Sequence, residues 1–303
     1  MPYYTPLRYP GGKRRLASAI KQLLDENGLK DVQYVEPFAG GAAVALTLLL
    51  DEYASAVHIN DLSRPVFAFW HTVLNETEEL CRRIEHAELT MSEWQIQRGV
   101  CEKRETADLA DLGYATLFLN RTNRSGIIDG GVIGGKNQTG AWGIDARFNK
   151  SELVARIRRI GRYSSRITLY QSDALDFTRD TLPSLGKNTF AFYDPPYIES
   201  GEDLYLNLYG LDDHRRLARE VNRLKQPWVM TYDISAIKHG ILPRNRSILY
   251  GLKYTAQGRY EGREVMFLSD KVKLPRGWTP WRPFLLSSPR SRYPFYGKIR
   301  REN

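Results

Sequence analysis

The sequence predicts an α/β fold: a doubly wound, mainly parallel sheet that is interrupted by a mostly helical insert. β-rich runs alternate with helical segments at both ends of the chain, whereas the middle lacks this alternation. Residues 32–37 and 55–61 are strand candidates that flank a helix rich in alanine and leucine. Together they predict a βαβ unit with a right-handed crossover. At 303 residues the chain is long enough to bury a sizeable core.

The remaining segments place the insert. A helical pattern covers residues 66–120, and the stretch up to residue 150 is rich in glycine and basic side chains. The α/β alternation then resumes, with helices at 151–160 and 211–224 and strands near 166–170, 189–193, 227–233 and 263–270. We therefore predict a sheet domain made of residues 1–65 and 150–303, and an inserted domain over residues 66–149.

The charge of the chain indicates a polyanionic partner. The formal net charge is +9, and from position 271 onward nine basic residues stand against one acid, interleaved with six aromatic residues. The basic tail over residues 275–303 could hold phosphates and stack on bases, or it could be a solvated tail that packs a few aromatic side chains on the main domain. Composition leaves both interpretations open.

Other features of composition exclude several classes of protein. The longest apolar run, residues 38–50, is too short to span a bilayer, and the amino terminus lacks the pattern of a secretory signal. The two cysteines form no CxxC pair and no Cys/His cluster, so we expect no zinc site. We expect a cytoplasmic protein that contacts no membrane and needs no metal.

Three features predict an adenosyl cofactor. A glycine-containing loop follows the first strand and opens a helix, where backbone can approach a ligand closely. Asp61 ends the second strand about 20 residues later, a spacing at which acids bind ribose hydroxyls. An aromatic residue, a tight turn and a lysine precede the first strand. Each feature alone could be an ordinary turn or a packing requirement; together they predict an adenosyl cofactor.

Asp194-Pro195-Pro196-Tyr197, at the end of a strand, predicts the catalytic loop. The Asp194 carboxylate and the Pro195 carbonyl can accept the two hydrogens of a planar amino group and direct its lone pair at a methyl donor. The prolines stiffen the turn, and Tyr197 offers a flat face to a base that has left its helix. The other interpretation is a Pro-Pro pair that only ends a strand. Methylation of a cytosine carbon would need an activated thiolate, and the chain has no Pro-Cys dipeptide.

The motifs RYPGGK, VEPFAGGAAVAL, INDLS, FLNRTNRSGI, RFNK, SDALDF and YDPPY follow one another in this order. In this order they resemble the Dam-like, D12 class (α-group) adenine-specific DNA methyltransferases. The resemblance implies a Rossmann-like methyltransferase sheet with an inserted target-recognition domain, duplex DNA as substrate and adenine N6 as acceptor. It also implies that S-adenosylmethionine is the cofactor and that the DNA-binding residues include Asn120, Arg121, Arg124 and Ser125. The cofactor contacts that the resemblance implies are Tyr9, Lys13, Glu36, Pro37, Phe38, Gly40, Gly41, Asp61, Asp173 and Asp194.

Two other functions compete with this one. The same catalytic tetrapeptide serves related enzymes that methylate adenine in ribosomal RNA, although the glycine- and arginine-rich insert favours a duplex DNA substrate. A catalytically idle DNA-binding regulator is the other alternative, which the intact Asp194 to Tyr197 loop argues against. We expect a monomer from a prokaryote or a phage. A cognate restriction endonuclease would be a natural partner, but the recognised sequence cannot be inferred.

Overall fold

The computed structural model describes residues 3–8, 13–198, 209–254 and 260–275. Tyr9 and the predicted basic tail beyond residue 275 lie outside the described residues. Within them the strands are β1 Val32–Glu36, β2 Ala54–Asn60, β3 Ile167–Tyr170, β4 Thr189–Tyr193, β5 Trp228–Asp233, β6 Arg246–Tyr254 and β7 Tyr260–Leu268.

In the described residues these seven strands form one sheet, in the order β3-β2-β1-β4-β5-β7-β6. β3, β2, β1, β4 and β5 pair in parallel, whereas β7 runs antiparallel to both β5 and β6. The predicted doubly wound, Rossmann-like α/β sheet is confirmed. Its strand order reverses between β1 and β4, where such sheets open a crevice at their carboxyl ends.

A helix precedes β1, helices connect the parallel strands along the chain, and several fill the interval between β2 and β3. They are α1 Ala17–Glu26, α2 Ala43–Leu50, α3 Arg64–Asn75, α4 Thr77–Glu85, α5 Met91–Glu102, α6 Leu109–Thr122, α7 Lys150–Gly161, α8 Ala174–Asp176, α9 Leu211–Arg223 and α10 Ser235–Lys238. Short 3₁₀ turns lie at Arg14–Leu16, Arg124–Gly126, Ile144–Arg147, Ser164–Arg166 and Leu182–Leu185, and a π turn lies at Phe177–Thr181.

The helical pattern predicted over residues 66–120 divides into four helices, α3 to α6; α3 and α4 are separated at Glu76, which has the non-helical angles φ −133° and ψ 39°. The strand expected at residues 263–270 begins earlier and belongs to a hairpin whose first strand, β6, we did not predict. β6 mixes polar and apolar residues without strict alternation, so its strand character depends on pairing with β7.

The helices between β2 and β3 pack on the sheet. Phe69 and Trp70 of α3 and Phe118 of α6 belong to the same buried cluster as Tyr34 of β1. The inserted segment is therefore held against the sheet, while its boundaries as a separate domain stay a prediction. In the described residues, no helix has both the length and the apolar character that a bilayer crossing requires.

Candidate active site

The carboxyl ends of β3, β2, β1 and β4 lie side by side, and each is followed by a residue that the sequence singles out. Asp61 follows β2, Asp173 follows β3, and Asp194 follows β4 directly. The loop of residues 37–42 follows β1. The fold therefore brings these residues to the crevice at the point where the strand order reverses.

The loop after β1 is tied to Asp61. The backbone N–H of Gly40, which has φ +46°, donates to Oδ2 of Asp61 at 2.8 Å, and the N–H of Ser63 donates to Oδ1 at 2.9 Å. Trp70 Nε1 donates to the carbonyl of Gly40 at 2.9 Å. Each Asp61 oxygen thus keeps a lone pair for a further donor. Burial raises the pKa of Asp61 to about 6, against the lowering effect of these two N–H groups.

Asn60, which the sequence analysis did not select, joins three strand ends. Its buried side-chain amide donates to the carbonyls of Pro37 and Ser172, each at 2.9 Å, and accepts from the N–H of Ser172 at 3.0 Å. The loops after β1 and β3 are therefore locked to the end of β2. No local pattern marks this residue, because its partners come from distant segments.

A second wall of the crevice is aromatic. The Tyr209 hydroxyl donates to the two carboxylate oxygens of Asp173 at 3.2 and 3.0 Å, and the ring of Tyr209 meets that of Phe38 edge to face, with centroids 5.6 Å apart. Asp173 also caps α8, because its side chain accepts from the N–H of Leu175 at 2.8 Å. Phe38 and Asp173 are half-buried, so both retain an accessible face.

Two side chains contact the same carboxylate oxygen of Asp194. Lys13 Nζ lies 3.0 Å from Oδ1, and Thr231 Oγ1 donates to the same atom at 2.8 Å. Within the described part of the chain, neither Oδ2 of Asp194 nor the carbonyl oxygen of Pro195 accepts a hydrogen bond. The side chain of Asp194 is 22% exposed and Pro195 is buried, so an accessible carboxylate lies next to a carbonyl that accepts no hydrogen bond from the described residues.

Glu264 of β7 completes a buried network behind Asp194. Its Oε1 lies 3.3 Å from Lys13 Nζ and accepts from the Tyr197 hydroxyl, while its Oε2 accepts from the Tyr250 hydroxyl at 2.5 Å. Lys13 also donates to the Tyr197 hydroxyl at 2.9 Å. The side chains of Lys13 and Glu264 are only 3% and 1% exposed, so the sheet edge holds one ammonium between two carboxylates.

This network sets the electrostatics of Asp194. Burial is the main cause that raises the pKa of Asp194 above its usual range, and the negative charge of Glu264 adds to it. The positive charge of Lys13 and the hydrogen bond from Thr231 act in the opposite direction. Lys13 and Glu264 therefore tune the ionisation of Asp194 in opposite senses.

The other predicted cofactor residues lie deeper. Pro37, Gly40 and Gly41 are buried within the loop of residues 37–42, and Glu36 is buried at the end of β1. Glu36 Oε1 accepts from the N–H of Ala45 in the first turn of α2 at 2.8 Å. Burial raises the pKa of Glu36 to about 8. The contact that the structure shows for this carboxyl group is with the start of α2, and its contact with a cofactor stays a prediction.

The four residues predicted to bind DNA differ in their surroundings. Asn120 is buried, and its amide bonds the N–H and carbonyl of Arg8, at 2.8 and 2.7 Å, and the carbonyl of Gly126. Arg121 is also buried, and its Nε has no hydrogen-bond partner in the described residues. Burial and the nearby charges of Arg156 and Arg8 lower the pKa of Arg121 to about 10. Arg124 is exposed, and Ser125 is half-buried with φ +57°.

Arg8 and Lys13 link the insert to the loop that begins at Asp194. Arg8 is bound to Asn120 of α6, and Lys13, five positions later, is bound to Asp194. Five residues of extended chain span at most about 18 Å. The amino-terminal segment therefore holds the end of α6 near the crevice, which the sequence alone did not reveal.

The two thiols are distant from this chemistry. Cys81 on α4 and Cys101 on α5 are buried, and burial raises their pKa values to about 11 and about 12. Neither is therefore a thiolate at neutral pH. In the described residues, no group of three or more His, Cys, Asp or Glu side chains is arranged to hold a metal ion.

Comparison with known proteins gives a family match over most of the chain. The family model described as "D12 class N6 adenine-specific DNA methyltransferase" matches residues 9–251. No curated protein shows significant sequence similarity to the chain. Among solved structures, "Putative methyltransferase yhhF" from Escherichia coli is similar, with a TM-score of 0.35 and 12% identity over 84% of this chain and 86% of the other.

Proposed function

Because the chain belongs to the family of D12 class N6 adenine-specific DNA methyltransferases, we propose that Asp194 and Pro195 hold the amino group that it methylates. The family uses S-adenosylmethionine to methylate adenine N6 in DNA, which favours DNA over ribosomal RNA and an active enzyme over an idle regulator. One observation carries the proposal: Oδ2 of Asp194 and the Pro195 carbonyl accept no hydrogen bond from the described residues.

The donors and acceptors around the crevice fit S-adenosylmethionine. Asp61 keeps lone pairs for the ribose hydroxyls, and Phe38 and Asp173 line the wall expected to face the adenine ring. Gly40 and Gly41 let the backbone approach, and Lys13 lies beside Asp194. When bound, S-adenosylmethionine supplies an electrophilic methyl group on its sulfonium sulfur. Tyr9 lies outside the described residues, and its contact stays a prediction.

Asp194 and Pro195 would activate the adenine amino nitrogen by orientation. With one amino hydrogen on Oδ2 of Asp194 and the other on the Pro195 carbonyl, the lone pair of N6 turns out of the ring plane toward the methyl carbon. The lone pair forms the new N–C bond, and the electron pair of the broken C–S bond stays on sulfur. The proton released from N6 leaves through the hydrogen bond to Asp194. The neutral, buried thiols support direct attack without a covalent enzyme intermediate.

Tyr197 and Pro196 would complete the target pocket. Adenine must leave the duplex stack for its N6 atom to reach Asp194, and an aromatic face can hold an extruded base. Lys13 lies over the Tyr197 ring, with Nζ 5.0 Å from the ring centroid, so the ring is fixed on one side. Pro196 is half-buried beside it and stiffens the turn.

Contacts with duplex DNA are proposed for Arg121, Arg124 and Ser125. The buried Nε of Arg121 without a hydrogen-bond partner would gain an acceptor from a backbone phosphate. Asn120 would hold Arg8 and the 3₁₀ turn in place while the duplex binds. We also propose a monomer that acts in the cytoplasm on one specific duplex sequence; a cognate restriction endonuclease stays a prediction.

Substitution of Asp194 tests the proposal. Asp194→Ala should lower the single-turnover rate of methyl transfer by about 10²-fold to 10³-fold, because it removes a preorganised acceptor. Binding of duplex DNA should be largely retained. Asp180→Ala, at an exposed residue paired with Arg179, is the matched control and should transfer at the wild-type rate. Undiminished transfer by Asp194→Ala would remove Asp194 from the mechanism.

A further inference from the structure

Trp142 stands out among the tryptophans of the described residues. It is 70% exposed, whereas Trp70, Trp94 and Trp228 are buried in the core. Tryptophan is enriched at interfaces, because it joins a large apolar ring to a polar N–H group. Among the described tryptophans, the ring of Trp142 is therefore the one that faces solvent.

The loop that carries Trp142, residues 133–144, is held together by internal hydrogen bonds. Gln138 lies at its centre with φ +53°, and its side chain donates to the carbonyls of Ile133 and Gly135 at 2.8 and 2.7 Å. The same side chain accepts from the N–H of Ile144 at 2.9 Å. One residue thus ties the beginning of the loop to its end, and Trp142 is presented on a fixed backbone.

Two glycines let the loop cross itself. The N–H of Gly140 donates to the carbonyl of Gly134 at 3.1 Å, and a Cβ at Gly140 would lie 2.9 Å from the Cα of Gly134. Gly134 has φ +84°, and a Cβ there would lie 2.7 Å from the carbonyl oxygen of Trp142. The close backbone crossing requires glycine and sets the position from which Trp142 projects.

The base of the loop is fixed to the end of α6. The N–H of Ile133 donates to the carbonyl of Thr122 at 2.8 Å, and the N–H of Arg124 donates to the carbonyl of Gly131 at 2.9 Å. Asn123, buried between them, accepts from Trp94 Nε1 at 2.7 Å. The loop therefore moves with α6, the helix that Asn120 connects to Arg8.

The charge beside Trp142 fits nucleic acid. Arg124 is exposed, and one of its terminal guanidinium nitrogens lies 3.9 Å from where a Cβ of Gly135 would be. Lys136 is exposed within the loop, which contains no acidic side chain; Asp145 follows it directly, with Oδ1 2.8 Å from where a Cβ of Gly143 would be, and Arg147 is exposed two positions later. The cations of this surface therefore outnumber its acid, and an aromatic ring among cations can stack on bases while the cations meet phosphates.

We propose that the loop of residues 133–144 is a contact element for duplex DNA, in which the Trp142 ring stacks against bases and Lys136 binds a backbone phosphate. This inference rests on the proposed function, because it takes duplex DNA as the substrate. It adds a residue to the binding surface that neither motif nor spacing indicates.

Affinity measurements at several salt concentrations test the two roles separately. The probe is a labelled duplex containing a sequence that the wild-type enzyme methylates. Trp142→Ala should raise the Kd for this duplex about tenfold, since stacking is lost. The slope of log Kd against log salt concentration should stay at the wild-type value. Lys136→Ala should lower the magnitude of that slope by about one, since a phosphate contact is lost. Trp142→Phe, which keeps a stacking ring, should stay within about threefold of wild type.

Ile96→Ala is the matched control, because Ile96 is 56% exposed on α5 and is not part of the loop. It should bind the duplex as wild type does, and every variant should retain wild-type affinity for S-adenosylmethionine. The inference is overturned if Trp142→Ala binds the duplex as tightly as wild type, or if Ile96→Ala loses as much affinity. Failure of the wild-type enzyme to methylate adenine in DNA would instead refute the proposed function itself.

Discussion

Lys13 Nζ lies 3.0 Å from Oδ1 of Asp194, although the two residues come from opposite halves of the chain. The same nitrogen lies 3.3 Å from Oε1 of Glu264. The loop that begins at Asp194 is therefore not an isolated strand end. It is one member of a buried charge network that the amino-terminal segment and β7 complete.

Opposite changes in pH dependence should follow from removing the two neighbours of Asp194. Lys13→Met removes a positive charge, so the pKa of Asp194 should rise and the acid limb of the kcat/KM profile should move to higher pH. Glu264→Gln removes a negative charge, so the limb should move to lower pH, each by about one unit. The measurement is kcat/KM for DNA methylation as a function of pH between pH 5 and pH 9.

Lys21→Met is the control for this pair, because Lys21 pairs with Asp51 at 2.6 Å elsewhere on the surface. Its profile should match that of wild type. Shifts of the Lys13 and Glu264 variants in the same direction would contradict the network. Glu264 would act as a positioning residue through Lys13 and Tyr197. If its role were purely structural, Glu264→Gln would leave the pH dependence of kcat/KM unchanged.

Asp61 should make cofactor binding depend on pH. Its pKa is raised to about 6, so the carboxylate that would accept ribose hydroxyls becomes protonated as the pH falls through that value. The affinity for S-adenosylmethionine should therefore decrease below about pH 6. Asp61→Asn should bind about tenfold more weakly at pH 8 and show no such decrease. Isothermal titration calorimetry between pH 5 and pH 8 measures both effects, and a wild-type affinity that is constant over this range would argue against the assignment.

Glu36 should make stability depend on pH. Its pKa is about 8 in the fold, compared with about 4.3 in an unfolded chain. The folded state therefore holds a proton that the unfolded state has lost. The contribution of Glu36 to the free energy of unfolding is present below about pH 4 and is lost as the pH rises through about 8.

Glu36→Gln keeps an acceptor for the N–H of Ala45 and removes this titration. Relative to wild type, the variant should gain on the order of 4 kcal/mol between pH 5 and pH 9, because wild type loses about 1.4 kcal/mol per pH unit over the three units up to pH 8. Urea denaturation at each pH measures it, and Glu88→Gln, at an exposed position, is the control that should show no gain. A variant curve parallel to that of wild type would contradict a proton on Glu36.

The parts of the site that lie directly after a predicted strand could be predicted from the sequence. The loop after β1, Asp61 and Asp194 each follow an apolar run with strand character, and the topology of parallel strands brings such positions together. Local pattern is sufficient there, because the residue type and its place at a strand end are adjacent in sequence.

Glu264, Asn60 and Tyr209 could not be predicted in this way. Glu264 is one acid in a β-strand, and its role depends on Lys13 and Tyr197, which are far from it in sequence. Asn60 acts through Pro37 and Ser172. The hairpin partner β6 was missed for the same reason, since its pairing rather than its composition makes it a strand.

Analysis of the methylated nucleoside tests the central claim most directly. The full chain is incubated with tritiated S-adenosylmethionine and unmethylated genomic DNA, with structured ribosomal RNA in a parallel reaction, and the nucleosides are separated after digestion. The account predicts label in N6-methyldeoxyadenosine from the DNA. Label in N4-methyldeoxycytidine, or label in the RNA alone, would contradict it.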